Sequence, residues 1–231
     1  MINVDRVYQR VLLLANKEQR GYITPQEFNI FANQAQMDIF EQYFYDLNQF
    51  RRMPGNDTQH ADMVDILEEK IGVFEVTQNI GLTNNIANLD NIARFYRLSS
   101  VRSGNIIMES VSRKDFRMFP NSPLAAPTPT RPIYMIDTIN NTLQIAGDDF
   151  LTADIDFIQS PRVVSWTYIV VEGKALYNPG AADAQDFDLH PSEETDLVMK
   201  ILSLSGFTLK DESLYGIASG EEAKSIQQEK Q

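Results

Sequence analysis

Cysteine is absent from the 231 residues, and histidine occurs only at His60 and His190. Without thiolates and with so few imidazoles, disulfide staples, cysteine nucleophiles, iron–sulfur clusters and zinc sites are excluded or nearly so. Basic residues are in deficit as well: 20 Lys and Arg stand against 32 Asp and Glu, a formal charge of −12. A chain of that sign repels a phosphate backbone, which excludes gripping nucleic acid through clustered basic side chains. Long hydrophobic runs are missing too. The apolar run Val11 to Ala15 lies in MINVDRVYQRVLLLANKEQ, too short for a membrane span or the core of a signal peptide, and the segment reads as an amphipathic helix. Neither secretion by a signal peptide nor a membrane-spanning helix is expected. There is no Walker-type phosphate loop, GxGxxG, HExxH or GxSxG. What remains is a globular chain, 43% hydrophobic, long enough for one large domain or two small ones.

The loudest signal is packing, in Thr24 to Leu47, TPQEFNIFANQAQMDIFEQYFYDL. Thr24 and Glu27 are spaced as a capping box, with Pro25 at the first helical position, where a missing N–H costs nothing. Phe28, Phe31, Ala35, Ile39, Tyr43 and Leu47 form one apolar stripe, and Ile30, Met37, Phe40 and Phe44 a second. Two stripes predict a helix covered on most of its circumference, either at the centre of a bundle or with one side in the body and one against another chain, and on the second alternative Phe40 and Phe44 are the expected contact with another subunit.

Around this helix the N-terminal part reads as helical over 1–74. A first helix covers Val4 to Lys17, with Val4, Val7, Val11, Leu14 and Ala15 inward, and a third covers about Ala61 to Phe74. Between the first two helices, Asn16 to Glu27 imitates a calcium loop, with Asn16, Glu18, Gly21, Thr24 and Glu27 near the first, third, sixth, ninth and twelfth positions. Arg20 stands at the fifth position, where an oxygen ligand is required, so the joint reads as helix–turn–helix, with a calcium-binding, EF-hand-like module as the alternative.

From Glu75 short strands bounded by turn residues predict an inserted antiparallel β barrel or sandwich over 75–189. Arg94–Val101 and Ile106–Val111 flank Ser103-Gly104-Asn105; Ile133–Ile139 and Thr142–Ala146 flank Asn140-Asn141; Asp154–Gln159 and Thr167–Glu172 add two more. Pro120 to Pro132 reads as a stiff surface strap. His190-Pro191-Ser192-Glu193 repeats the grammar of the Thr24 cap, with His190 and Glu193 as cap residues, and starts a helix over 190–208 that Gly206 stops. That helix is expected to complete the N-terminal bundle, because neither helical part alone has enough apolar face. The fold class is therefore α+β. The tail 209–231, with Leu214, Tyr215 and Ile217 among polar residues, is too weakly amphipathic to hold a core and is expected to dock on another subunit or ring.

The acidic run Asp148, Asp149, Asp154 and Asp156 is the most enzyme-like feature. Gly147-Asp148-Asp149 reads as a turn, and Asp154 and Asp156 alternate with Ile155 and Phe157 as on a strand's solvent face, so no catalytic residue, metal ligand or cofactor is expected.

Three stretches, NKEQRGYITPQEFNIFANQAQMDIFEQYF, SPLAAPTPTRPIY and WTYIVVEGKALYNPGAADAQDFDLHPSEE, resemble the neck ring, or head-to-tail connector, proteins of short-tailed bacteriophages, especially the crAss-like group. The resemblance spans nearly the full length and carries no enzymatic residue. It implies a virion structural protein, assembled in the host cytoplasm into a homo-oligomeric ring, a dodecamer. Such a ring sits below the portal protein, touches adjacent ring or tail proteins, and lines the channel through which genome DNA passes without specific binding.

Overall fold

A computed structural model of the chain describes residues 1–17, 23–52 and 58–208. The fold is α+β and divides into two units, one of residues 1–73 and 161–231, the other of residues 74–160. The expected β domain over 75–189 thus ends at Ser160, and 161–189 belongs with the helices.

In the helical unit, α1 (Val4–Lys17), α2 (Pro25–Arg52), α3 (Thr58–Gly72) and α5 (Glu194–Thr208) pack with α2 touching both α3 and α5, and α1 touching α5. The C-terminal helix does return to the bundle. Leu197 and Ile201 are fully buried, and Glu194 at its start accepts from Arg6 (3.0 Å) and Arg10 (2.6 Å), one turn apart on α1. Gly206, expected to stop α5, lies inside it, because tertiary packing overrides a single residue's weak propensity. On α1, Leu14 is exposed rather than inward and Tyr8 takes the buried place, with its ring against Phe28 and Trp166.

The segment after Ser160 is held to α2 by side-chain amides. Asn29, Asn33 and Gln36 lie on one side of the helix, and each reaches an extended segment at alternate residues. Asn29 takes the N–H of Trp166 (2.8 Å) and donates to its carbonyl (3.3 Å), Asn33 does the same for Val164 (2.7 and 2.9 Å), and Gln36 donates to the Arg162 carbonyl (2.8 Å). Four helical residues rise about 6 Å, close to the roughly 6.7 Å of two extended residues, so a helix face can serve as a partner for strand-like backbone. Gln36 also accepts from the Asp188 N–H (3.1 Å), while Ser165 bridges to Gln185 and Phe187 to Ile2. Arg162 clamps Asp188 through Nε (3.0 and 3.1 Å), a pairing that raises the guanidinium's already high pKa. The same segment carries a hairpin, β9 (Tyr168–Val171) and β10 (Lys174–Tyr177), that leaves this region as a separate two-stranded ribbon. β10 is only four residues long, with Ala175 and Tyr177 on its more covered face and Lys174 and Leu176 on its exposed one.

The other unit contains β1 (Glu75–Gly81), β2 (Ile86–Asn88), β3 (Phe95–Ser103), β4 (Ile106–Ile107), β5 (Glu109–Ser110), α4 (Arg113–Met118), β6 (Ile133–Asp137), β7 (Thr142–Ala146) and β8 (Thr152–Gln159). Two open four-stranded sheets form, in the orders β1-β8-β3-β4 and β2-β7-β6-β5. They share one core, to which Ile80, Val101, Ile155 and Phe157 come from the first sheet and Ala87, Tyr134, Leu143 and Ile145 from the second. Of the two expected alternatives the sandwich describes this arrangement, since neither sheet closes into a barrel. One pairing departs from the antiparallel rule: β5 runs parallel to β6, made possible by the long crossover through α4 and the proline-rich strap. The strap ends where Thr128 and Arg131 bridge each other, against Gly147.

Candidate assembly surface

The Thr24 capping box forms as expected. Thr24 N–H donates to Glu27 Oε2 (2.9 Å), the Thr24 hydroxyl donates to the same oxygen (2.8 Å), and Glu27 N–H donates back to Thr24 Oγ1 (3.3 Å). The Thr24 N–H, and after it the hydroxyl, holds the Glu27 carboxyl below the usual range. The Thr24 hydroxyl and one Glu27 carboxylate oxygen, at the ninth and twelfth positions of the loop, are thus bonded to each other. The centre of that loop, 18–22, lies outside the described residues, as do Leu214, Tyr215 and Ile217 of the tail.

His190 also caps, accepting from Ser192 N–H at Nδ1 (3.3 Å), but it caps a single 3-10 turn, Pro191–Glu193, that leads into α5. Glu193 has another task. Its carboxylate is buried and meets Lys70 of α3 at 2.7 Å, tying the start of the C-terminal helix to the third.

Phe40 is the clear correction among the expected contact residues. It is fully buried in the subunit's own core, so it offers no surface, and Phe44 is half-buried edge-on against it at 5.1 Å and 81°. Sequence spacing could not tell these apart, because Phe40 lies on the same side of α2 as Asn29, Asn33 and Gln36, whose amides hold extended backbone against that side. Ile30 and Tyr45 are the large apolar side chains that α2 exposes, at 67% and 60%.

Of the acidic run, Asp154 and Asp156 are engaged by neighbouring strands. Asp154 accepts from Asn79 (2.7 Å), and Asp156 accepts from the Ser100 and Thr77 hydroxyls (2.6 Å each), a polar ladder across β1, β8 and β3. The Ser100 hydroxyl, then that of Thr77, holds the Asp156 carboxyl below its ordinary range. Among the described residues, no group of three or more His, Asp or Glu side chains converges as metal ligands do.

No protein-family model matches the chain, and curated proteins give no match.

The β9–β10 ribbon carries a run of exposed apolar side chains. Ile169, Val170, Val171 and Leu176 are all about half exposed or more. Its root is firm: Trp166 is buried, stacks on Tyr168 and Tyr177 with each centroid 5.7 Å away, and donates its indole N–H to Asp5 of α1 (2.9 Å). Burial, then the nearby Asp186 and Asp5 carboxylates, pushes the Tyr177 phenol up. Trp166 and Tyr168 therefore belong to the framework of the ribbon rather than to an open aromatic platform. Among the described residues no helix is long and apolar enough to cross a membrane.

Proposed function

We propose that the chain is a structural subunit of a phage neck: a ring below the portal that joins head to tail and surrounds the channel for the genome. The observation that supports this reading is the row of exposed apolar side chains on β9 and β10, uncovered among the described residues and braced at its root, a surface that a protein partner could cover. The resemblance of three stretches to neck ring proteins names the assembly in which such a partner would be another copy. The −12 charge suits a wall along which DNA slides without adhering. On this reading the tail 209–231 docks on a neighbour or on the ring above, and the number of subunits is twelve. The protein then resides in the virion, with portal and tail proteins as its other partners. Counting peptides of the chain in purified virions tests the reading. It is expected there in a number equal to that of the portal subunits, and its absence from particles while it accumulates in infected cells would overturn the proposal.

A further inference from the structure

The chain passes between the two units at Val73–Phe74 and again at Ser160–Pro161. Both passages leave the β unit from one end of the same strand pair: Glu75 lies opposite Ile158, and Gln159 N–H donates to the Phe74 carbonyl (2.9 Å). The two are built differently. On the way in, α3 ends at Gly72, where a Cβ would meet nothing within 4 Å, and Val73 is half exposed. Backbone of that kind bends at little cost. On the way out, the backbone is held on both sides of a single residue. Ser160 N–H donates to the Arg94 carbonyl (2.8 Å), and the Arg94 guanidinium donates through Nη1 to the Ser160 carbonyl (3.0 Å) and through Nη2 to Gln159 Oε1 (2.7 Å). Arg94 reaches this place with φ of 56°, a conformation that a residue with a Cβ seldom adopts. Beyond Pro161, which is buried, Arg162 N–H donates to Asp188 Oδ2 (2.8 Å).

We infer that this exit is a hinge with one axis, the Cα–C bond of Pro161, and that Arg94 is the clasp that removes every other freedom from it. Peptide groups are planar, so a bonded carbonyl or N–H fixes its whole plane. The plane before Pro161 is fixed to the β unit through the Ser160 carbonyl, and the plane after it to the helical unit through the Arg162 N–H. Only φ and ψ of Pro161 stand between them. The pyrrolidine ring locks φ, which leaves ψ. Gly72 and Val73 follow that rotation on the entry side. Every bond named here lies within one unit or the other, so the β unit can turn without either core rearranging. The strain at Arg94 then has a use: the left-handed turn aims both its carbonyl and its guanidinium at the residue before the hinge.

The lack of native cysteine lets spin labels be placed in the full chain at chosen sites. Ile30→Cys with Ile107→Cys puts one label on an exposed site of each unit, and pulsed electron resonance reads the spread of their separations. Ile107→Cys with Ile139→Cys, both exposed and both in the β unit, is the reference pair. Arg94→Gly removes the clasp with a residue that suits the φ of that position, and Pro161→Ala restores the second dihedral. Each is expected to widen the distribution between the units and to leave the reference pair unchanged. Arg94→Lys, which can keep one of the two side-chain bonds, should fall between Arg94→Gly and the native chain. One glycine inserted after Gly72 should widen the distribution less than either Arg94→Gly or Pro161→Ala. A distribution that neither of these two widens would overturn the hinge, and so would an inserted glycine that widens it more than both. Equal widening of the reference pair by Arg94→Gly would overturn the clasp, because Arg94 would then hold the β unit itself together.

Discussion

Asn33 satisfies both backbone groups of Val164, accepting its N–H at 2.7 Å and donating to its carbonyl at 2.9 Å from a helix 131 residues earlier in the chain. Val164 is 1% exposed, so water cannot readily replace these bonds. Asn33→Ala is expected to lower stability by about 2–4 kcal/mol, the cost of two orphaned groups, seen as a lower denaturant midpoint. Asn33→Asp keeps the acceptor but sets a carboxylate against the Val164 carbonyl, and should also destabilise. A neutral effect of both would mean that the amide ladder is not what holds the segment to α2.

The helices and most strands were legible because their apolar spacing is strong: α1, the start of α2, β6, β7 and β8 lie within a few residues of where periodicity puts them. Much of what stayed hidden is structure made by polar groups. β1 reads as a loop because Thr77 and Asn79 meet Asp156 and Asp154 across the sheet instead of presenting an apolar face. The 161–189 segment reads as part of the β domain because its partners are the amides of Asn29, Asn33 and Gln36, whose role no period reveals. Phe40 looked like surface for the same reason. An arc of helix closed off by backbone leaves no trace in a hydrophobic pattern.

Gly147 has φ of 140°, and a Cβ there would lie 2.8 Å from the Thr128 carbonyl oxygen and 3.0 Å from Pro132 Cα. Both obstacles are backbone and cannot swing aside. Gly147→Ala is therefore expected to destabilise the β unit by about 1–3 kcal/mol or more. Gly104→Ala, where nothing lies within 4 Å of the added carbon, pays only for its φ of 58° and should cost less. Thermal unfolding of the two variants side by side reads the difference; equal losses would show that the strap does not press on Gly147.

Acid should weaken the same unit through Asp156. Its folded pKa is depressed by the Ser100 and Thr77 hydroxyls, so its contribution is full above the unfolded value, about 3.9, and is lost as pH falls through the lower folded value. Ser100→Ala should raise the carboxyl pKa read by NMR and reduce this contribution. An Asp156 that titrates at or above the ordinary value would contradict the ladder.

Calcium should leave the melting temperature unchanged at millimolar concentration, because Arg20 stands where an oxygen ligand is required and Glu27 Oε2 is held by the Thr24 cap. A ligand of the folded state raises stability with the logarithm of its excess over Kd. A rise of several degrees that Asn16→Ala removes would restore the calcium-module reading.

The central claim is that this chain is one part of a closed ring, and the mass and symmetry of its assembled form test it most directly. Native mass spectrometry and electron microscopy of the full chain, at high concentration and with the portal ring of the same virus added, should show a cyclic assembly seated on the portal, of about twelve copies as the resemblance to neck ring proteins implies. A chain that remains monomeric in both conditions, or that forms only closed two-fold dimers, would contradict it.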